Sequence, residues 1–171
     1  MDTVSGLDFL EEFNSAPFAR AEEMLRPCVD LPRWTSEISF ARPFGTGAEL
    51  ISFAELAAPD WTETEIDAAL AHHPRIGERA PGAGPGADLS RGEQSGVALS
   101  GGIRERLEEG NRRYEERFGR LFLVRAAGRS AEEILAVLSE RLENTEEAEL
   151  AATAAALREI AILRLEGLLN R

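Results

Sequence analysis

The chain has 171 residues, 43% of them hydrophobic and 29% charged, a balance that suits one folded domain with a sizeable core and excludes a disordered chain. Its formal net charge of -12 and pI of about 4.7 set it against phosphate backbones and anionic membrane surfaces, so neither nucleic acid nor membrane is an expected partner. The single cysteine, Cys28, rules out an internal disulfide and a thiolate metal cluster.

No run reaches the roughly 18 apolar residues of a membrane span. Neither Met1-Asp2-Thr3-Val4-Ser5 nor Leu169-Asn170-Arg171 reads as a targeting signal, and a cytoplasmic protein is the expectation. In chain order, Ser5 opens a short helix carrying Leu7, Leu10 and Phe13. Pro17 suits the first turn of the next, which places Phe18, Ala21, Leu25 and Cys28 on one face before Pro27 and Pro32 end it. Thr62-Glu63-Thr64-Glu65 has the form of a capping box. Its helix carries Ile66, Ala69 and Leu70 and should stop near His72 or His73, because Pro74 disfavours helical geometry just before it.

Residues 79–89, rich in Gly and Pro, predict a long loop of the kind that is usually functional or mobile in a compact domain. Ile103, Leu107, Gly110 and Tyr114 mark a helix ending around Gly119. Leu121-Phe122-Leu123-Val124 is too short for a helix and predicts an extended segment packed inside the protein. Ser130-Ala131-Glu132-Glu133 is another capping box, opening a helix with Ile134, Val137 and Leu138. The last helix runs from about Asn144 to Leu169, with Leu150, Ala154, Leu157, Ala161, Leu165 and Leu168 on one apolar face. With one strand candidate, the expected class is all-α, a single domain over residues 1–171.

Three places hold candidate chemistry. Arg164 falls within the apolar stripe of the last helix, where an arginine is costly unless a carboxylate or anionic ligand meets it; the ordinary alternative is that it snorkels to solvent. The two histidines are adjacent, in Ala71-His72-His73-Pro74-Arg75-Ile76-Gly77-Glu78. A histidine locked at a helix end by Pro74 can project into a cleft and move protons near neutral pH, although most such pairs are surface or core residues. A metal held by His72, His73 and Glu78 is disfavoured, since adjacent residues at a helix end diverge and the His-Glu-x-x-His spacing is absent. Ser90-Arg91-Gly92-Glu93-Gln94 reads most simply as a helix start, with Ser90 as cap and Glu93 as its reciprocal partner.

In order, these pieces resemble the family of 2-oxo-4-hydroxy-4-carboxy-5-ureidoimidazoline (OHCU) decarboxylases over nearly the whole chain. The resemblance runs through Leu7 to Phe18, Arg42-Pro43-Phe44, His73-Pro74-Arg75-Ile76-Gly77, and Ser90 to Gln94 with Ser95-Gly96-Val97. It continues through Asn111-Arg112-Arg113-Tyr114, Arg117-Phe118-Gly119, Phe122-Leu123-Val124 and Leu163-Arg164-Leu165. It implies an all-α decarboxylase that forms (S)-allantoin and carbon dioxide with no metal or organic cofactor, as a homodimer. It also implies His73 as the catalytic histidine rather than His72, with Glu93 and Arg164 as its acidic and basic partners. Pro74, Ser90 and Gln94 would line the site, and the backbone from Phe122 through Leu123, Val124 and Arg125 to Ala126 would bind the amide edges of a small-molecule substrate. Arg125 stands where the family usually has a small or apolar residue.

Two other classes compete. A non-catalytic helical interaction module would use the alanine-rich last helix, with Ala151, Ala152, Ala154, Ala155 and Ala156, as a dimer face. A metal-dependent hydrolase would reveal itself by chelator sensitivity.

Overall fold

The computed structural model describes residues 8–77, 91, 93–94 and 101–171. It is all-helical: the described elements are α1 (Phe9–Ser15), α2 (Phe18–Leu25), α3 (Pro32–Phe40), α4 (Gly47–Leu56), α5 (Glu63–Leu70), α6 (Ile103–Phe118), α7 (Ala131–Arg141) and α8 (Glu146–Leu169). Among the described residues there is no strand, and no helix is long and apolar enough to cross a membrane. The expected loop at 79–89 lies outside the described residues. Contacts gather the chain into two units, Met1–Asp60 with Ile160–Arg171 and Trp61–Glu159.

In the first unit, α1 begins not at Ser5, which lies outside the described residues together with Leu7, but at Asp8. The Asp8 carboxylate accepts the Glu11 N–H at 2.8 Å, satisfying one of the free amides of the first turn. Pro17 precedes α2, whose buried face holds Ala21 and Leu25 with Cys28 just beyond. Pro32 does more than end that segment. It is the first residue of α3, because its fixed φ and missing N–H suit the opening position of a helix.

Helix α4 starts from a cap at Thr46, whose hydroxyl accepts the Glu49 N–H at 3.1 Å while the Glu49 carboxylate accepts the Gly45 N–H at 2.7 Å. Trp34, fully buried, donates its indole N–H to the Ala54 carbonyl at 3.0 Å and so ties α3 to α4. Arg42 donates to the carbonyls of Ser39, Phe13 and Ala16 at 2.8, 2.7 and 2.6 Å. Asn14 and the Phe44 backbone exchange two hydrogen bonds at 2.8 and 2.9 Å. The Arg-Pro-aromatic element is therefore a structural clamp: its arginine satisfies carbonyls that the ends of α1 and α3 leave open, and Phe44 is buried beside it.

In the second unit, both complete capping boxes expected from sequence are present, Thr62 with Glu65 and Ser130 with Glu133. Helix α6 ends at Gly119, whose φ of 69° is the left-handed geometry that favours glycine at a helix end. Gly110 allows α6 and α7 to approach closely, since a Cβ there would collide with the Leu138 side chain. The core joins Ile76, Leu107, Tyr114, Phe122, Val124, Ala126, Ile134, Leu135, Leu138 and Leu142. As the run of apolar residues predicts, Leu121 to Val124 is non-helical, and Phe122, Leu123 and Val124 are buried.

Candidate active site

Helix α5 delivers His73. The helix proper stops at Leu70, and a last turn carries the chain on, with the His73 N–H donating to the Leu70 carbonyl at 3.0 Å. The turn faces the adjacent histidines differently: His72 is exposed, whereas His73 is half-buried. His73, Pro74 and Arg75 line a cleft of about 700 Å³ together with Asp67, Leu70, Ala71, Glu115, Gly119, Arg120 and Leu121. Three ion pairs flank it. Arg75 meets Glu115 at 2.7 Å, and Arg120 meets Glu63 at 2.5 Å and Asp67 at 3.2 Å.

The turn after His73 is anchored from three sides. Asn111, buried on α6, donates to the Ile76 carbonyl at 3.0 Å, one helical turn before Glu115 receives Arg75. From the Ser90–Gln94 motif, the Gln94 side chain accepts the Gly77 N–H at 3.1 Å. Gln94 is thus brought against the His-Pro turn. Glu93, beside it in helical backbone, is half-buried. Ser90 lies outside the described residues, as does Glu78.

Leu121, at the start of the apolar segment, shares the cleft with His73. Beyond it, Phe122, Leu123, Val124 and Ala126 are buried. Among the described residues no hydrogen bond takes up the amide N–H of Phe122, Leu123, Val124, Arg125 or Ala126. Backbone amides inside a fold are rarely left without an acceptor, and N–H groups of this kind suit a ligand rich in carbonyl oxygens. The side chain of Arg125 is engaged elsewhere, in an ion pair with Glu159 at 3.1 Å, so what it offers such a ligand is its main chain.

Arg164 belongs to the first unit. It is 6% exposed, and its guanidinium donates to the Pro27 carbonyl at 2.9 Å. It does not snorkel to solvent, as the alternative reading of the sequence had it. Beside it, burial pushes the Cys28 thiol up from 9.0 to about 12, with Arg164 pulling the other way. Sequence reasoning missed Asn111 and Glu115 as anchors of the histidine turn. It also missed a buried group around Arg141, Glu149 and Tyr114 in the second unit. The spacing Asn111 to Glu115 puts both on one face of α6, which is the signal that was available.

Comparison with known proteins adds a second line of evidence. The chain matches the OHCU decarboxylase family profile over residues 14–166. A curated relative, the uric acid degradation bifunctional protein TTL of Arabidopsis thaliana, is 33% identical over 159 residues, covering 87% of this chain and 47% of the relative; the chain spans about half that relative's length. Among solved structures, the crystal structure of an OHCU decarboxylase in the presence of (S)-allantoin superposes with a TM-score of 0.70 at 26% identity, over 88% of this chain and 99% of that one. The crystal structure of (S)-allantoin synthase gives a TM-score of 0.69 at 16% identity, over 95% of this chain and 54% of that one, a likeness of fold alone.

Proposed function

The chain belongs to the OHCU decarboxylase family, and from that premise we propose that it converts 2-oxo-4-hydroxy-4-carboxy-5-ureidoimidazoline to (S)-allantoin and carbon dioxide with no cofactor. The observation that carries this reading is His73, half-buried on the wall of a cleft and held there by a turn anchored through Asn111, Glu115 and Gln94.

In the reaction, the bond from ring carbon to carboxylate breaks and carbon dioxide leaves. The electron pair passes into the ring, where it rests on a carbonyl oxygen until a proton arrives at carbon. Fixed donors aimed at that oxygen are usually the largest catalytic contribution, and the amides from Phe122 to Ala126 supply donors of that kind. His73 is the group that manages the proton. Glu93 orients His73 or the substrate's hydroxyl and ureido groups. Arg164 offers a planar fork to a substrate oxygen; its burial supports the role. Gripping the departing carboxylate would stabilise the ground state, so contact with the developing oxyanion is the productive use of that charge. Pro74, Ser90 and Gln94 shape the same site, and the whole matched stretch acts as one decarboxylase domain.

The test is a coupled assay in which urate oxidase and hydroxyisourate hydrolase generate the unstable substrate in place and circular dichroism follows allantoin. Wild type should give optically active product quickly. His73→Ala should lose about a hundredfold or more, the range of general acid–base contributions, with helicity retained. Racemic product at the spontaneous rate from wild type would end this reading, and full activity in His73→Ala would end the histidine's role.

The homodimer and the cytoplasmic setting go with this proposal. Phe40 and Leu56 are 78% and 77% exposed, and large apolar side chains left on a surface mark places where proteins associate. Light scattering should give about twice the 18.7 kDa chain mass; a monomer would remove the dimer. The lone cysteine, buried as a free thiol, accords with a reducing compartment, which cell fractionation would check.

A further inference from the structure

Polar groups buried in the second unit extend beyond the His73 cleft. Arg141, at the end of α7, is 8% exposed, and Glu149, in the first turns of α8, is 1% exposed. The guanidinium donates through Nε to Glu149 Oε1 at 2.6 Å and through Nη2 to Thr153 Oγ1 at 3.3 Å. Its Nη1 donates to the carbonyl of Leu123. Glu149 also accepts from the Tyr114 hydroxyl and, at 3.1 Å, from Asn144 Nδ2. The guanidinium carbon lies 4.8 Å from the ring centre of Phe122 and 5.9 Å from that of Tyr114, and these two rings meet edge to face at 5.2 Å.

Stability alone is a poor reason for this arrangement, because a buried ion pair is often no better than an apolar filling of the same volume. Its geometric effect is more specific. A trans peptide is planar, with C=O and N–H pointing in opposite directions. Holding the Leu123 carbonyl toward Arg141 therefore turns the Val124 N–H away from the network, and no described residue accepts from that N–H. Phe122, on the other side of Leu123, is fixed by its ring against the same guanidinium. Three separate donors of one rigid fork are in use, a task that the point charge of a lysine cannot reproduce.

We infer that Arg141, held by Glu149 and Tyr114, is a positioning residue for the decarboxylation: it sets the direction of the Val124 amide donor and so the orientation in which the substrate ring is met. The inference rests on the proposed function and on that amide as part of its binding edge. Arg141 touches the Leu123 carbonyl rather than the substrate, so its effect is on how the ring is held while the proton is delivered to one face.

The experiment compares Arg141→Lys, Tyr114→Phe and Leu138→Ala with wild type in the coupled assay. Leu138 lies in the same core and on the same helix as Arg141, and its truncation lowers stability without removing a hydrogen bond of the network. Melting temperatures and far-ultraviolet circular dichroism define the folded fraction. Optical purity of allantoin is read at enzyme concentrations adjusted to equal rates, so that spontaneous racemic product does not differ between samples.

Arg141→Lys should lose about tenfold to hundredfold in kcat/KM, the scale of a small misplacement of binding groups, and its product should be less optically pure. Tyr114→Phe keeps the ring and removes one donor to Glu149; it should lose about threefold per folded molecule with a melting temperature lowered no more than that of Leu138→Ala, and it decides the matter if Arg141→Lys does not fold. Leu138→Ala should keep kcat/KM and optical purity per folded molecule. If the two network variants match Leu138→Ala in both readouts, the positioning role is overturned and the proposed function stands. If wild type makes no allantoin above the spontaneous rate, both are overturned.

Discussion

Arg42 in the first unit and Arg141 in the second both direct a guanidinium at main-chain carbonyls, yet their surroundings differ. Arg42 is half-buried and serves three carbonyls at the ends of α1 and α3, with the Phe13 ring 5.4 Å away. Every one of those acceptors is neutral. Arg141 is buried and serves one carbonyl, in a segment whose amides are open, while its charge is balanced by a carboxylate that is itself almost completely buried. The first arrangement closes a corner of the fold. In the second, a buried charge pair is tied to the backbone next to the candidate site, and the proposed positioning role would have fold and chemistry share the same atoms there, as nothing proposed for Arg42 does.

That contrast can be broken most forcefully from the carboxylate side. Glu149→Ala leaves the Arg141 guanidinium buried with its counter-charge removed, and breaking a buried pair in this way costs about 3–5 kcal/mol. Arg42→Ala leaves carbonyls that water can partly reach, and the loss of its charged donors should cost about 2 kcal/mol. Urea unfolding of the two variants checks the order. The sharper part concerns activity: at temperatures where both are folded, Arg42→Ala should turn over at the wild-type rate per folded molecule, and Glu149→Ala should not. Equal activities, or a larger loss from Arg42→Ala, would show that the two units divide the work differently.

Much of the second unit was legible because its signals are local. The boxes at Thr62 and Ser130 and the terminating glycine at 119 each announce a helix end within four residues, and the structure has all three. In the first unit Pro32 was read as a stop when it also starts α3, a double meaning that proline has at every helix boundary. Helix α4 was missed although Thr46 and Glu49 have the same Thr-x-x-Glu spacing, because Leu50, Ile51, Phe53, Ala54 and Leu56 spread apolar groups around most of the helix and blur the 3.6-residue period. For the site, His73 stood out by rarity and by Pro74, and the burial of Arg164 followed from its place in an apolar stripe. The network around Arg141 had no such mark. Tyr114 and Glu149 are 35 residues apart, Arg141 reads as an ordinary base at a helix end, and Glu149 as one of three acids in the first turn of α8. Only packing picks out the acid that is buried.

The smallest expected effect separates the two units by pH. Burial, offset in part by Arg164, raises the Cys28 thiol in the first unit from 9.0 to about 12. Burial, and then the hydrogen bond given to Glu149, raises the Tyr114 hydroxyl in the second from 10.0 to about 12, against smaller opposing effects of Thr153 and Arg141. Both folded groups hold their protons longer than the unfolded chain does, so the stability linked to them is complete below the unfolded values and is lost as pH rises toward the folded ones. The thiol's contribution therefore starts to fail near 9 and the phenol's near 10. At about pH 10.5 the linkage amounts to roughly 2 kcal/mol for Cys28 and roughly 1 kcal/mol for Tyr114. Urea midpoints measured from neutral pH to about pH 11 should fall on this schedule. Cys28→Ala should remove the earlier and larger part of the decline, and Tyr114→Phe the later and smaller part. A decline unchanged in Cys28→Ala would mean that ionisation elsewhere sets the alkaline limit, and the first unit would then owe nothing to its buried thiol.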